Sequence, residues 1–176
     1  MGVSGDDRQI IYLHLPCLPI QRMARVQGWS LEEKVGLYQR EKGADRLVYL
    51  SSEARADGVQ AGLSVADARA RHPDMCFAPV DQNADQALLT AFARWAFRYS
   101  PVTGIDADGL GIWIEATGAS HLFAHATDFD NIDADDTDSG LKAMCADLYR
   151  QISQTGLRAS IASASTFGAA FALAHY

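Results

Sequence analysis

No apolar run in the 176 residues approaches the length of a bilayer span, and Met1 to Arg8 lacks the basic-then-apolar layout of a secretory signal. Both absences predict a cytoplasmic protein that does not enter a membrane. Cysteine is scarce. Cys17, Cys76 and Cys145 are odd in number, widely spaced and without a metal-ligand pattern, which excludes a disulfide framework and predicts buried thiols in a reducing compartment. Positive charge is in deficit, with 15 Lys and Arg against 22 Asp and Glu and a net charge of −7. Sequence-independent nucleic-acid binding needs clustered cations to displace counterions, so the balance argues against strong binding of that kind by this segment alone. Much of the acidic excess sits in one run, Asp128, Asp130, Asp133, Asp135, Asp136 and Asp138. The stretch from Thr127 to Gly140 misses the ligand spacing of an EF-hand and reads as a solvated loop.

Hydrophobic residues at 48% and charged residues at 21% describe a globular chain with one good core or one domain carrying a small insertion. The organising stretch runs from Pro101 to Phe123. Asp108-Gly109 between β-branched segments predicts a hairpin, and in its second strand Ile112, Ile114 and Ala116 share one face while Trp113, Glu115 and Thr117 share the other. Ile10 to Leu15 reads as a buried first strand, with His14 a structural histidine on an apolar strand. Val35 to Gln39 and Leu47 to Leu50 read as strands joined by a polar loop from Glu41 to Asp45. Ser51 or Ser52 caps a short helix that Gly58 stops, and Ser64 to Asp67 is a capping box opening a second helix that Pro73 closes.

Asp81 caps a helix reaching Tyr99, whose expected core face is Ala84, Ala87, Leu88, Ala91, Phe92, Trp95 and Tyr99. Ser139 caps a later helix with Leu141, Met144, Cys145, Leu148 and Ile152 on one face and Gly156 as its stop. Leu157 to Ser163 reads as the last strand, and Ser165-Thr166 opens a helix to Tyr176. Setting aside residues 22–80 leaves βαββαβ, a ferredoxin-like arrangement of α+β class.

Three stretches carry a resemblance to Y-family (translesion) DNA polymerases. Ser51-Ser52-Glu53-Ala54-Arg55-Ala56-Asp57-Gly58-Val59-Gln60-Ala61-Gly62-Leu63 is similar to the fingers signature Ser-Tyr-Glu-Ala-Arg-x-x-Gly-Val-x-x-Gly-Met. Ile112 to Gly118, followed by Leu122-Phe123, resembles the palm strand Ser-x-Asp-Glu-Ala-Tyr-Leu-Asp-x-Thr-Gly. His14 to Pro19 stands where the family reads His-x-Asp-x-Asp, and its Leu-Pro-x-Leu-Pro replacement, followed by a basic helix start (Gln21 to Arg25), looks like the ImuB-type branch of bacterial mutagenesis cassettes. The resemblance implies a polymerase palm at 1–21 and 81–176, an inserted fingers subdomain at 22–80, and thumb and little-finger domains absent from a fragment.

By the same alignment the family's metal-binding carboxylates fall on Pro16, Leu18, Leu110 and Gly111. Two-metal phosphoryl transfer needs carboxylate oxygens, and none of these side chains supplies one. The family's triphosphate contacts fall on Ser52, in place of tyrosine, and on the retained Arg55, which is either a phosphate contact or a solvated, salt-bridged arginine. Its two lysines near the end fall on Gly168 and Ala172. The resemblance therefore implies a non-catalytic homologue without metal or cofactor, active in DNA repair and damage-induced (SOS) mutagenesis. Its partners would be those of a mutagenic polymerase complex, with the sliding clamp and DNA bound through the absent regions. Two alternatives stand beside it. One is a working nucleotidyltransferase recruiting Mg²⁺ through Asp106, Asp108 or Glu115; the other is an interaction module without a DNA role.

Overall fold

A computed structural model describes residues 8–119, 121–124 and 137–176. The acidic run from Asp128 to Asp136 lies outside them. The chain forms two compact units, Met1–Pro16 with Ala87–Tyr176, and Cys17–Gln86.

In the first unit, strands β1 (Ile10–His14), β5 (Thr103–Ile105), β6 (Gly111–Glu115) and β7 (Ser160–Ala164) form one antiparallel sheet in the order β5-β6-β1-β7. That is the ferredoxin-like order, in which the first and third strands of the unit are central. β1 takes a central place because Ile10, Ile11, Tyr12 and Leu13 are all buried, and a strand flanked on both edges and covered on both faces has no solvent side for polar residues. β6 keeps the expected alternation: Ile112, Ile114 and Ala116 are fully buried, Trp113 and Glu115 half-buried.

Helices α4 (Gln82–Ala96) and α6 (Thr137–Gln154) lie on the face of Ile11 and Ile114. On that face Thr103 donates from Oγ1 to the Ala93 carbonyl of α4 (3.2 Å), and Ser163 meets the Cys145 thiol of α6, which burial pushes up to about 11. The opposite face, with Ile10, Tyr12 and Trp113, is packed by α7 (Phe167–His175) through Phe171, Ala170 and Ala174. A one-turn helix, α5 (His121–Ala124), precedes α6.

Three expectations are corrected here. The buried face of α4 is Asp85, Leu89, Phe92 and Ala96, with Tyr99 just beyond the helix, while Ala87 and Ala91 are exposed. Hydropathy misplaced the face because a charged residue stands on it: Asp85 accepts from Arg22 Nε at 2.5 Å, and both side chains are largely buried. Ser139 lies inside α6, which begins at Thr137, and so does not cap it. β7 starts three residues later than expected.

The second unit is a three-stranded sheet, β3-β2-β4, made of β2 (Val35–Glu41), β3 (Ala44–Leu50) and β4 (Cys76–Pro79), with α1 (Leu18–Gln27), α2 (Ser52–Ala56) and α3 (Val65–Arg71). β2 and β3 run further than the sequence pattern suggests. The loop between them shrinks to Lys42-Gly43, both at positive φ (48° and 85°), the two-residue turn whose twist matches a hairpin. β4, parallel to β2, gives no period-2 signal because it is four residues long and ends in proline. Ser51 caps α2, accepting from Ala54 N–H (3.2 Å), and Ser64 caps α3, accepting from Asp67 N–H (3.0 Å). No helix among the described residues is long and apolar enough to cross a membrane.

The rotated face of α4 makes a direct test. Leu89→Ala is expected to cost about 2–4 kcal/mol in urea unfolding, as for a buried leucine, and Leu88→Ala less than half of that. Equal losses would return the face to the hydropathy assignment.

Candidate functional site

The sequence-derived site positions divide between the two units. In the first unit, Gly111 pairs with His14 across β1 and β6, and Leu15 N–H donates to the Leu110 carbonyl at 3.0 Å, so Leu110 and Gly111 come together at the end of β1 that leads into Pro16. In the second unit, Leu18 opens α1 and is buried. Ser52 is exposed and its hydroxyl is engaged by the Glu53 carboxylate (3.0 and 3.1 Å). Arg55 is also exposed and donates from Nη2 to Cys17 Sγ at 3.4 Å. Cys17 itself is left-handed (φ 50°), the bend from which α1 starts.

Position 111 can hold no side chain on this backbone. A Cβ there would stand 2.2 Å from the Leu13 carbonyl oxygen and 3.0 Å from the Tyr12 hydroxyl. The first obstacle is backbone of the adjacent central strand, which cannot swing aside as a flexible side chain would. A carboxylate at this point of the sheet is thus excluded by the approach of β1 to β6. Leu110, the neighbouring position, is 38% exposed and offers only hydrocarbon.

The nearest carboxylate, Asp106, is committed elsewhere. Its Oδ2 accepts a short hydrogen bond from the Tyr12 hydroxyl, its Oδ1 accepts from Leu110 N–H (2.8 Å), and its backbone closes the hairpin through Gly111 O (3.1 Å) and Gly109 N–H (3.2 Å). Gly109 supplies the positive φ (66°) that the turn needs. Burial, then the hydrogen bond to Asp106, raises the Tyr12 pKa, so the phenol stays a neutral donor. Asp108 is exposed on the turn. Glu115 faces Ile10, four residues along β6 from Gly111 and so roughly 13 Å away, and accepts from Arg8 at 3.2 Å. Glu115 thus stands apart from the two hairpin acids, and no group of three or more His, Cys, Asp or Glu side chains placed to hold a metal occurs among the described residues.

Beside this hairpin His14 lies against His175 of α7, with ring centroids 3.9 Å apart, and His175 Nδ1–H donates to the Phe171 carbonyl (2.9 Å). His14 Nδ1 and His175 Nε2 are buried without a partner among the described residues. Burial first, and His175 second, lower the His14 pKa, opposed by hydrogen bonding at Leu110 and by Asp106. This makes His14 a packed, neutral ring. Little in the residue pattern pointed to the Tyr12–Asp106 pair. Its only signals were the one hydroxyl in the Ile10–His14 strand and an aspartate two residues before Asp108-Gly109.

Two outcomes follow. Gly111→Ala is expected to lose about 3 kcal/mol in urea unfolding, the upper end for forced overpacking; a loss below about 0.5 kcal/mol would mean that the strands can part and admit a side chain. For His14, folding lowers the pKa from 6.5, so below about pH 6.5 the unfolded chain binds a proton that the folded chain resists. Its contribution to stability is full above that pH and is lost as pH falls through the folded value. The melting temperature should therefore drop between pH 7 and 5, and His14→Phe should flatten that slope; an unchanged slope would remove His14 as its source.

The family model described as impB/mucB/samB matches residues 24–174. Protein ImuB of Caulobacter vibrioides, in strains NA1000 / CB15N and ATCC 19089 / CIP 103742 / CB 15, is 36% identical over 119 residues, which is 68% of this chain and 22% of the relative. The chain thus spans about a fifth of the length of the curated relatives it matches. Among solved structures, DinB from Sulfolobus solfataricus and an insertion ternary complex of Dbh DNA polymerase each superpose with a TM-score of 0.63 at 11% identity, over 89% of this chain and 42% of theirs. At that identity they share its fold, the palm and fingers arrangement of Y-family polymerases. With a family match over most of its length and curated relatives above 30% identity, the chain belongs to the impB/mucB/samB family of Y-family polymerase-like proteins.

Proposed function

We propose that this chain is the palm and fingers portion of a non-catalytic Y-family polymerase homologue, acting in the cytoplasm in DNA repair and damage-induced mutagenesis. It serves as a scaffold that helps bring an active polymerase and the sliding clamp to damaged DNA, with clamp and DNA contacts carried outside this segment. The observation that carries the reading is position 111. Where the family alignment sets a metal-binding acid, the backbone of Leu13 fills the space a side chain would need. Family membership and the 36% identity to proteins named ImuB support the setting.

The reaction that this leaves out is specific. In-line phosphoryl transfer requires metal ions that clamp the attacking and leaving oxygens, and the protein's part is to fix them with carboxylates. Pro16, Leu18, Leu110 and Gly111 fix nothing. Arg55, the one retained triphosphate contact, stays on an exposed helix, where a nucleotide held by one guanidinium would bind weakly. Mg²⁺ belongs only to the alternative enzyme reading.

Primer extension by the full-length protein tests this. With Mg²⁺ or Mn²⁺ and all four nucleotides, no product above a no-protein control is expected. Extension that disappears in Asp108→Ala would establish the enzyme reading instead.

A further inference from the structure

At the end of the first unit's sheet away from the Asp108-Gly109 turn, a groove of about 590 Å³ lies between two connections, the one joining α4 to β5 and the one joining β6 to α5. That volume falls in the range of binding pockets, roughly 300–1,000 Å³. Phe97, Val102 and Leu122 line it, and they are 54%, 47% and 68% exposed. One bulky apolar side chain alone in water is ordinary; three lining one groove make a patch whose covering is favoured. The walls are held in place. Tyr99 stacks on Phe123 of α5 (centroids 5.5 Å apart, 26° between planes), and its hydroxyl donates to Asp147 of α6 at 2.5 Å. Val102 is fixed beside β6, since its carbonyl accepts from Glu115 N–H at 2.9 Å.

Two charged residues line the groove, and they are not equivalent. Both oxygens of Glu115 are engaged, one by Arg8 (3.2 Å) and the other by the Thr117 hydroxyl (3.4 Å). Arg98 is exposed, lies over the Trp95 ring (5.2 Å to its centroid) and makes no ion pair among the described residues. A guanidinium resting on a ring keeps the N–H groups in its own plane available to a carboxylate. We infer that the groove docks a short segment of a partner protein, whose bulky apolar side chains cover Phe97, Val102 and Leu122 and whose carboxylate pairs with Arg98.

The surrounding charge narrows the partner. The first unit has six basic against twelve acidic residues, so an acidic tract or a nucleic-acid backbone would meet net repulsion. A single carboxylate set among apolar side chains meets only Arg98. Aromatic and arginine side chains are also the types enriched where protein interfaces concentrate their affinity. One groove is less than the roughly 1,200–2,000 Å² that stable complexes bury, so an affinity on the order of micromolar is expected. The inference holds whether or not the full-length protein is an enzyme.

The test selects phage-displayed random dodecapeptides on the immobilised chain, then titrates the labelled synthetic consensus peptide by fluorescence anisotropy. Enriched sequences are expected to carry two or more bulky apolar residues and an Asp or Glu. Leu122→Asp and Val102→Asp should each weaken the consensus peptide at least tenfold, and Arg98→Glu about tenfold. A peptide with Lys in place of its acid should bind Arg98→Glu within threefold of the original pair. If Val102→Asp melts early by circular dichroism, Leu122→Asp, at the more exposed position, decides in its place. No enriched sequence, enriched sequences without an acid, or binding unmoved by Leu122→Asp and Arg98→Glu would overturn the assignment. Two rival occupants would overturn it as well. Self-association in sedimentation velocity that Leu122→Asp abolishes would give the groove to a second copy of the chain. Tenfold tighter peptide binding by the double variant Phe129→Ser, Ile132→Ser would give it to the chain's own acidic run.

Discussion

The contact on which the rest depends is the close approach of β1 to β6 at Leu13 and Gly111, locked on one side by the Tyr12–Asp106 hydrogen bond. Two central strands buried on both faces must satisfy their backbone groups through neighbouring strands, and the pairing of β1 with β6 continues up to Leu15, whose N–H reaches Leu110. The hairpin is drawn over β1 by a buried carboxylate that serves the turn with one oxygen and a phenol with the other. An aspartate used in this way is structural. It fixes where the loop from Asp106 to Leu110 lies and is not free for a cation.

That constraint converts a missing motif into a physical statement. Losing acidic residues from a sequence leaves open whether neighbours have taken over, since a carboxylate one or two residues away could swing into the same space. At the end of this sheet the space is filled by the Leu13 carbonyl, and the acids nearby are bonded to Tyr12 or Arg8, or stand exposed on the turn. The sheet face away from α4 and α6 is packed by α7 through Phe171, Ala170 and the contact of His14 with His175. Stability and the lack of room for a side chain at position 111 thus have the same cause, the close packing of β1 against β6.

Much of this was readable in the sequence, for stated reasons. The β6 alternation, the Asp108-Gly109 turn and the Ser51 and Ser64 caps are local patterns with short-range causes, and all appear where the residues put them. The ferredoxin-like order followed from element order alone. What escaped depended on distant partners. The face of α4 was misread because Asp85 is neutralised by Arg22, 63 residues away, and β4 exists only by pairing with β2. The reason for Gly111 lies 98 positions back, at Leu13, and nothing adjacent to a glycine announces a neighbouring strand. Trp113 and Gly104 likewise acquire meaning only as cross-strand partners.

Titration of Mn²⁺ by electron paramagnetic resonance, in the presence of a deoxynucleoside triphosphate, bears most directly on the central claim. Free nucleotide binds Mn²⁺ by itself, so the comparison is between nucleotide alone and nucleotide with this protein. Identical curves are expected, since among the described residues no group of three or more His, Cys, Asp or Glu side chains is placed to hold a metal and Asp106 is engaged by Tyr12 and Leu110. A protein-dependent pair of tight Mn²⁺ sites, abolished by Asp106→Asn, would contradict the account.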